Sequence, residues 1–274
     1  MSEITSTAVE RALSIMEMIA ASKSGLSNSD LSRRLNIPKS SASYILRVLE
    51  RREYLRRDTE GKYRMGLKLL DLNGGVSPGF DVRDSAKPFL IEFLQKCPLP
   101  EAHVAVLDNG RAVYVEKVEG EKSFIKLDIW VGHRLPVHTT AIGKILVSFL
   151  PEAEILAILD LHGMEPKTRR SITDPEKFLR EAARVRKYGF AVDDEENAEG
   201  VRCIAAPIYD ARGSVVAALG TSSIIQHIDE PNLPKIVGLL TEAAAKVSRE
   251  IGYSVTSHSQ ASVENSTMSA EAGR

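Results

Sequence analysis

The chain lacks the raw material for several common kinds of protein. It holds only two cysteines, Cys97 and Cys203, in 274 residues. Two thiols so far apart make neither a disulfide framework nor a metal-binding spacing, and they fit a reducing, cytoplasmic setting. No apolar run approaches the roughly 20 residues needed to span a bilayer. The N-terminus, MSEITSTAVERALSIMEMIA, mixes charges into its apolar positions and so has no signal-peptide pattern. A membrane is therefore not an expected partner. An excess of one charge is missing too: 36 Lys and Arg stand against 37 Asp and Glu. Tryptophan occurs once, as Trp130. No internal repeat is visible, and nothing calls for a cofactor or a bound metal.

The near-neutral average hides a split. Residues 33–68 carry 11 Lys and Arg against 4 Asp and Glu, a local charge of +7, so the remaining 238 residues sum to −8. A basic stripe is what a nucleic-acid surface needs, because phosphate neutralisation depends on where charge sits. The same stretch has a recognisable shape. Residues 7–21 place Val9, Leu13, Met16 and Ala20 at helical spacing, and Gly25 follows as a stop. Ser27-Asn28-Ser29-Asp30 predicts a capping box, with Leu26 and Leu31 at the hydrophobic-staple positions. Asn36-Ile37-Pro38 predicts a turn, with Pro38 opening a helix over about 38–52. One face of that helix carries Ala42, Ile45, Leu46 and Leu49; the other carries Ser40, Ser43, Tyr44, Arg47 and Arg51. Residues 54–65 then read as a β-hairpin with a Gly-containing turn.

This order of elements predicts a winged helix-turn-helix over residues 6–66, with double-stranded DNA as partner. The second helix would enter the major groove and present Lys39, Ser40, Ser41, Ser43, Tyr44 and Arg47, with Arg47 best placed to reach a base edge or clamp a phosphate. Ser27 and Ser29 stand at a helix N-terminus, which favours a phosphate. Arg56, Arg57, Lys62 and Arg64 put four positive charges on the wing. The bland alternative is a structural helix pair with a solvated basic face.

Beyond a linker at 67–81, punctuated by Gly74-Gly75 and Pro78-Gly79, the pattern changes. Helices are predicted at 82–96, 139–150, 152–160, 174–188 and 232–252. Strands are predicted at 102–108, 111–118, 123–128, 189–194, 201–210 and 213–222. This makes an α+β domain over 82–253, a sheet flanked by helices. The Ser-rich tail, 254–274, lacks an apolar pattern and predicts disorder.

Segment GLSNSDLSRRLNIPKSSASYILRVLERREYLRRDTEGKYRMG resembles the DNA-binding domain of IclR-type transcriptional regulators. LPVHTTAIGK (135–144), ITDPEKFLREAARVRKYG and GFAVDDEENAEGVRCIAAPIYDARGSVVAALGTSS (189–223) resemble that family's effector-binding domain. The likeness runs over about residues 6–253. It implies a GAF-like C-terminal fold, a homodimer or homotetramer, a pseudo-palindromic operator and a small carboxylic acid as effector. Transferred residue by residue, it implies a pocket of Leu127, Leu135, Ala141, Asp193, Val201, Cys203, Gly220 and Ser222. The residues themselves add Thr139 and Thr140, at the start of an apolar helix whose free N–H groups suit a carboxylate. Trp130 either stacks on the ligand or packs in the core.

The family pattern often has Ser-x-Ser on the last strand, whereas this chain has Gly220-Thr221-Ser222. The lost hydroxyl leaves space, which predicts a bulkier ligand such as an aromatic acid. Cys203, His138 and Asp193 invite an enzymatic or zinc-binding reading, but they are scattered and carry no motif. The expectation is a ligand-responsive regulator, of repressor type, controlling a metabolic operon.

Overall fold

The computed structural model describes residues 7–22, 24–73, 81–120 and 128–253. The chain divides into two compact units, Met1–Pro78 and Gly79–Arg274.

In the first unit, α1 (Thr7–Ala20), α2 (Asn28–Arg34) and α3 (Lys39–Arg51) pack around Ile15, Ile19, Leu31, Ala42 and Leu46. A short antiparallel pair follows, β1 (Leu55–Arg57) and β2 (Tyr63–Met65), with Arg56 opposite Arg64. Leu26 exchanges two backbone hydrogen bonds with Tyr63, at 3.1 and 2.8 Å, and so ties this hairpin to the segment before α2. The expected capping box is present: Asp30 N–H donates to Ser27 Oγ, and Ser27 N–H donates to the Asp30 carboxylate. Leu26 and Leu31 are both buried in the core beneath it. Pro38 stands one position earlier than expected, at the N-cap of α3. Within the expected linker, α4 (Lys68–Asn73) is helical.

The second unit is a six-stranded antiparallel sheet between two helical layers. Its strands are β3 (Glu101–Asp108), β4 (Arg111–Glu119), β5 (Arg134–Leu135), β6 (Ala191–Asp194), β7 (Val201–Tyr209) and β8 (Val215–Ile224), in the order β5-β4-β3-β8-β7-β6. Helices α5 (Asp81–Lys96) and α9 (Leu233–Glu250) cover one face, packing on Val104, Ile204, Ala206 and Leu219. On the other face lie α6 (Ala141–Ser148) and α8 (Pro175–Tyr188), against Ala105, Tyr114, Ala205 and Ala218. Helix α7 (Glu152–His162) packs behind α8. Side chains alternate across a strand, so residues 203 and 205 face one layer while 204 and 206 face the other.

Two sequence readings need correction. The helix expected from Thr139 begins at Ala141, because Thr140 is its N-cap: Thr140 Oγ1 accepts from Gly143 N–H at 3.2 Å. The two-residue strand β5 was not predicted; it is too short to carry an alternating pattern. Most of the strand expected at 123–128, and all of the tail at 254–274, lie outside the described residues.

Candidate functional sites

The first site is the exposed face of α3 together with the hairpin. Lys39, Ser40, Tyr44 and Arg47 are exposed, and Ser41 and Ser43 are half-buried. Arg47 has no hydrogen-bond or ion-pair partner among the described residues, so its guanidinium is available. The wing is less basic than its sequence suggests. Lys62 Nζ lies 2.9 Å from Glu60, and Arg64 Nε lies 3.0 Å from Asp58. Arg57 Nε donates to Gly61 O, and its guanidinium stands over the Tyr63 ring. Arg56 is the exposed wing cation without such a partner among the described residues. Ser27 is a cap rather than an open hydroxyl: its Oγ donates to Asp30 at 2.6 Å while accepting from Asp30 N–H. Asp30 places a negative charge at that helix end, and its pKa is lowered by these Ser27 hydrogen bonds. That charge opposes a phosphate at Ser27 and at the adjacent, half-buried Ser29.

The second site is a cavity of about 180 Å³ between the sheet and the N-terminus of α6. Register explains its floor. Asp193, Cys203, Ser222 and Glu101 are successive cross-strand partners on β6, β7, β8 and β3. Ala205, Gly220 and His103 form the next row on the same face. Of the expected pocket residues, Leu135, Thr140, Ala141, Asp193, Val201, Cys203 and Ser222 line the cavity. Leu127 lies outside the described residues.

Three expected residues do not line it. Thr139 is fully buried, and its hydroxyl donates to Asn197 Oδ1 at 3.1 Å, holding a wall residue in place. Trp130 is 51% exposed and stacks on His133 at 3.9 Å, so His133, not Trp130, forms the wall. Gly220 does not open space for a ligand, because a Cβ there would come within 2.6 Å of His103 Nε2 and 2.8 Å of Ile142 Cγ2. The volume expected for a bulkier ligand is filled by a histidine ring.

His103, Tyr114, His133 and Asn197 are wall residues that the sequence reading missed. A polar His103 inside the apolar run Ala-His-Val-Ala-Val was the one available signal.

The cavity's polar groups are set by burial. Ser222 Oγ and the Nδ1 atoms of His103 and His133 are buried without a hydrogen-bond partner among the described residues. Burial pushes the Asp193 carboxyl up to about 7, although backbone N–H donors from Glu196 and Asn197 oppose the shift. Burial also holds the His133 pKa below its ordinary value. The Cys203 thiol is pushed well up by burial and by neighbouring Asp193, so it stays protonated and is no nucleophile. His138, which the enzymatic reading would pair with Cys203, bonds Glu165 O and lies outside this cavity. Among the described residues, no group of three or more His, Cys, Asp or Glu is placed to hold a metal.

The loop between β6 and β7 supplies Asn197 and Ala198 to the wall. Lys144, on α6, is 1% exposed and anchors this loop. Its Nζ donates to Glu196 Oε1 at 2.6 Å and to Val192 O at 2.8 Å.

A helix-turn-helix with a wing, joined to a sheet domain with a small cavity, has a direct counterpart among known proteins. The model for the IclR helix-turn-helix domain matches residues 8–59, and that for the bacterial transcriptional regulator IclR C-terminal domain matches residues 76–249. The chain belongs to the IclR family. It is similar to the HTH-type transcriptional regulator XynR of Escherichia coli, with 35% identity over 246 residues, covering 89% of this chain and 97% of that one. Among solved structures it resembles the IclR of Thermotoga maritima, with a TM-score of 0.75 and 31% identity, covering 89% of this chain and 98% of that one. It shares its fold with an IclR homologue from Microbacterium hydrocarbonoxydans, solved in complex with 4-hydroxybenzoate, at a TM-score of 0.76 and 24% identity, covering 89% and 99% of the two chains. This IclR-family chain is thus a DNA-binding transcriptional regulator with an α+β C-terminal domain, and not an enzyme. None of its described helices is long and apolar enough to cross a membrane.

Proposed function

We propose that this regulator binds a small organic acid in the α6 cavity and that the bound acid changes its affinity for an operator. The cavity carries the proposal. At about 180 Å³ it exceeds the cavity of about 150 Å³ that takes benzene in an engineered protein, so it suits an acid with at most one ring. The Ala141 and Ile142 N–H groups, in the first turn of α6, have no intrahelical acceptor and favour a carboxylate. Asp193, with a pKa of about 7, carries a proton for much of the time near neutral pH and donates a hydrogen bond instead of repelling the acid.

On the DNA side, Arg47 and the hydroxyls of Ser40 and Ser43 read the major groove, and Arg56 holds a phosphate. The protein acts in the cytoplasm as a homodimer or homotetramer on a pseudo-palindromic site, because a two-fold protein needs two related half-sites. It represses a metabolic operon, and the acid relieves repression. Coupling between the two ligands is reciprocal.

The test is fluorescence anisotropy of DNA from the region upstream of its own gene, with and without glyoxylate, pyruvate, benzoate and 4-hydroxybenzoate, alongside thermal shifts with the same acids. An acid that stabilises the protein and weakens DNA binding supports the reading. Tight DNA binding indifferent to every acid that stabilises the protein overturns it.

A further inference from the structure

We infer that His103 contacts the effector and sets its size, and that glycine at position 220 is what admits His103 to the cavity. This rests on the small-acid reading above and goes beyond it.

His103 lies on β3 directly opposite Gly220 on β8. It is 1% exposed and lines the cavity. Its Nε2 edge lies over Gly220, where an added Cβ would be 2.6 Å away, and the same Cβ would meet Ile142 of α6 at 2.8 Å. The ring is therefore wedged between the floor strand and the first turn of α6, beside the free N–H groups of that turn. Any side chain at 220 has to displace either the imidazole or the helix. Tyr114 fixes the ring from another side, edge-on at 4.8 Å.

The ring is held by packing more than by hydrogen bonds. Its buried Nδ1 faces Glu101 Oε1 at 3.6 Å, within ion-pair range but longer than a hydrogen bond. Glu101 is instead engaged through its other oxygen, 2.9 Å from Lys117 Nζ. In the neighbouring row, Ser222 Oγ is buried beside the thiol of its cross-strand partner Cys203. His103 Nδ1 thus faces Glu101, and Nε2, on the edge over Gly220, is the ring nitrogen left to meet a polar occupant of the cavity. An acid seated on α6 brings oxygen atoms to this corner. His103 and Ser222 then supply the hydrogen bonds that orient it, while the imidazole fills the volume that a larger ligand would need.

The experiment compares wild type with His103→Ala, His103→Gln, Gly220→Ser and the double variant His103→Ala with Gly220→Ser. Thermal shift and calorimetry are run with glyoxylate, pyruvate, benzoate and 4-hydroxybenzoate. The acid that binds wild type best is expected to lose about tenfold or more in affinity in His103→Ala, with a smaller loss in His103→Gln. Gly220→Ser is expected to lower the melting temperature, and adding His103→Ala to it should restore most of that loss, since the two sites share one volume. Imidazole at millimolar concentration should raise the melting temperature of His103→Ala but not of wild type, by refilling the hole. This last arm needs no acid. If no acid binds wild type, the small-acid reading fails, and the imidazole and stability arms still decide whether His103 borders an accessible cavity. Acid affinities unchanged in His103→Ala, or additive stability effects together with no imidazole rescue, would overturn the inference.

Discussion

Lys144 Nζ lies 2.6 Å from Glu196 Oε1, joining α6 to the β6–β7 loop across 52 residues of sequence. Glu181 Oε1 stands 3.5 Å from the same nitrogen. Burial pushes the Glu196 pKa up, and the Lys144 charge works against that shift. Replacing Lys144 with Met leaves the buried Glu196 without its cation, while Glu181 keeps Arg184 at 2.8 Å. A cost of about 3–5 kcal/mol to the stability of the C-terminal unit is expected, because breaking a buried pair strands the other charge. Urea unfolding followed by circular dichroism measures it, and a loss below about 1 kcal/mol would mean that water already solvates the pair.

Asp193 gives the unit a distinctive pH response. Its carboxyl titrates near 7 when folded and near 3.8 when exposed, so between those values the folded chain holds a proton that the unfolded chain has lost. The stability contributed by this proton is fully present below about pH 4 and falls as pH rises to about 7. Asp193→Asn keeps an oxygen for the Glu196 and Asn197 N–H groups and removes the titration. Stability of the variant, minus that of wild type, should therefore rise across this pH range and level off above it. A flat difference would assign the slope to other groups.

Arg47 and Arg56 should separate by what salt and sequence do to their variants. Arg47→Ala is expected to cost about 1–3 kcal/mol at the operator and to relax discrimination at one base pair. Arg56→Ala should weaken binding on all sequences alike and reduce the salt slope by about 1. Ser27→Ala should cost the domain about 1 kcal/mol of stability by removing a cap. Once folding is corrected for, its DNA affinity should hold, since Asp30 already occupies that helix end. Competition binding at several salt concentrations distinguishes the three.

Gly143 tests how closely α6 must approach the segment before it. A Cβ at this position would lie 2.4 Å from Val137 Cα, which is backbone and cannot rotate aside. Gly143→Ala should therefore destabilise by about 1–3 kcal/mol, and should also weaken any acid bound at the helix N-terminus. Thr140→Val removes the cap without adding bulk, and about 1 kcal/mol is expected. If Gly143→Ala melts like wild type, α6 is free to shift and is a poor anchor for a ligand.

The local features were legible because their causes are local. Ser27 and Asp30 are three residues apart, and the faces of α3 follow from one helical period. The alternation in β7 and β8 put Cys203 and Ser222 on definable faces. His103 could not be found this way, because its place depends on β3 pairing with β8 more than 100 residues later. The Gly220 reading failed for the same reason: an absent side chain says that something approaches closely, but not whether it is a ligand or another part of the chain. The wing's charge was overstated because Asp58 and Glu60, in the turn, fold back on the cations beside them.

The alternation of the sheet has a consequence for substitutions and insertions. On β7 and β8 the residues that floor the cavity are interleaved with residues such as Ile204 and Leu219, which hold α5 and α9 in place. A substitution at a floor position therefore leaves the α5–α9 face of the strand untouched. Inserting or deleting one residue within β7 or β8 would instead exchange the two faces beyond it.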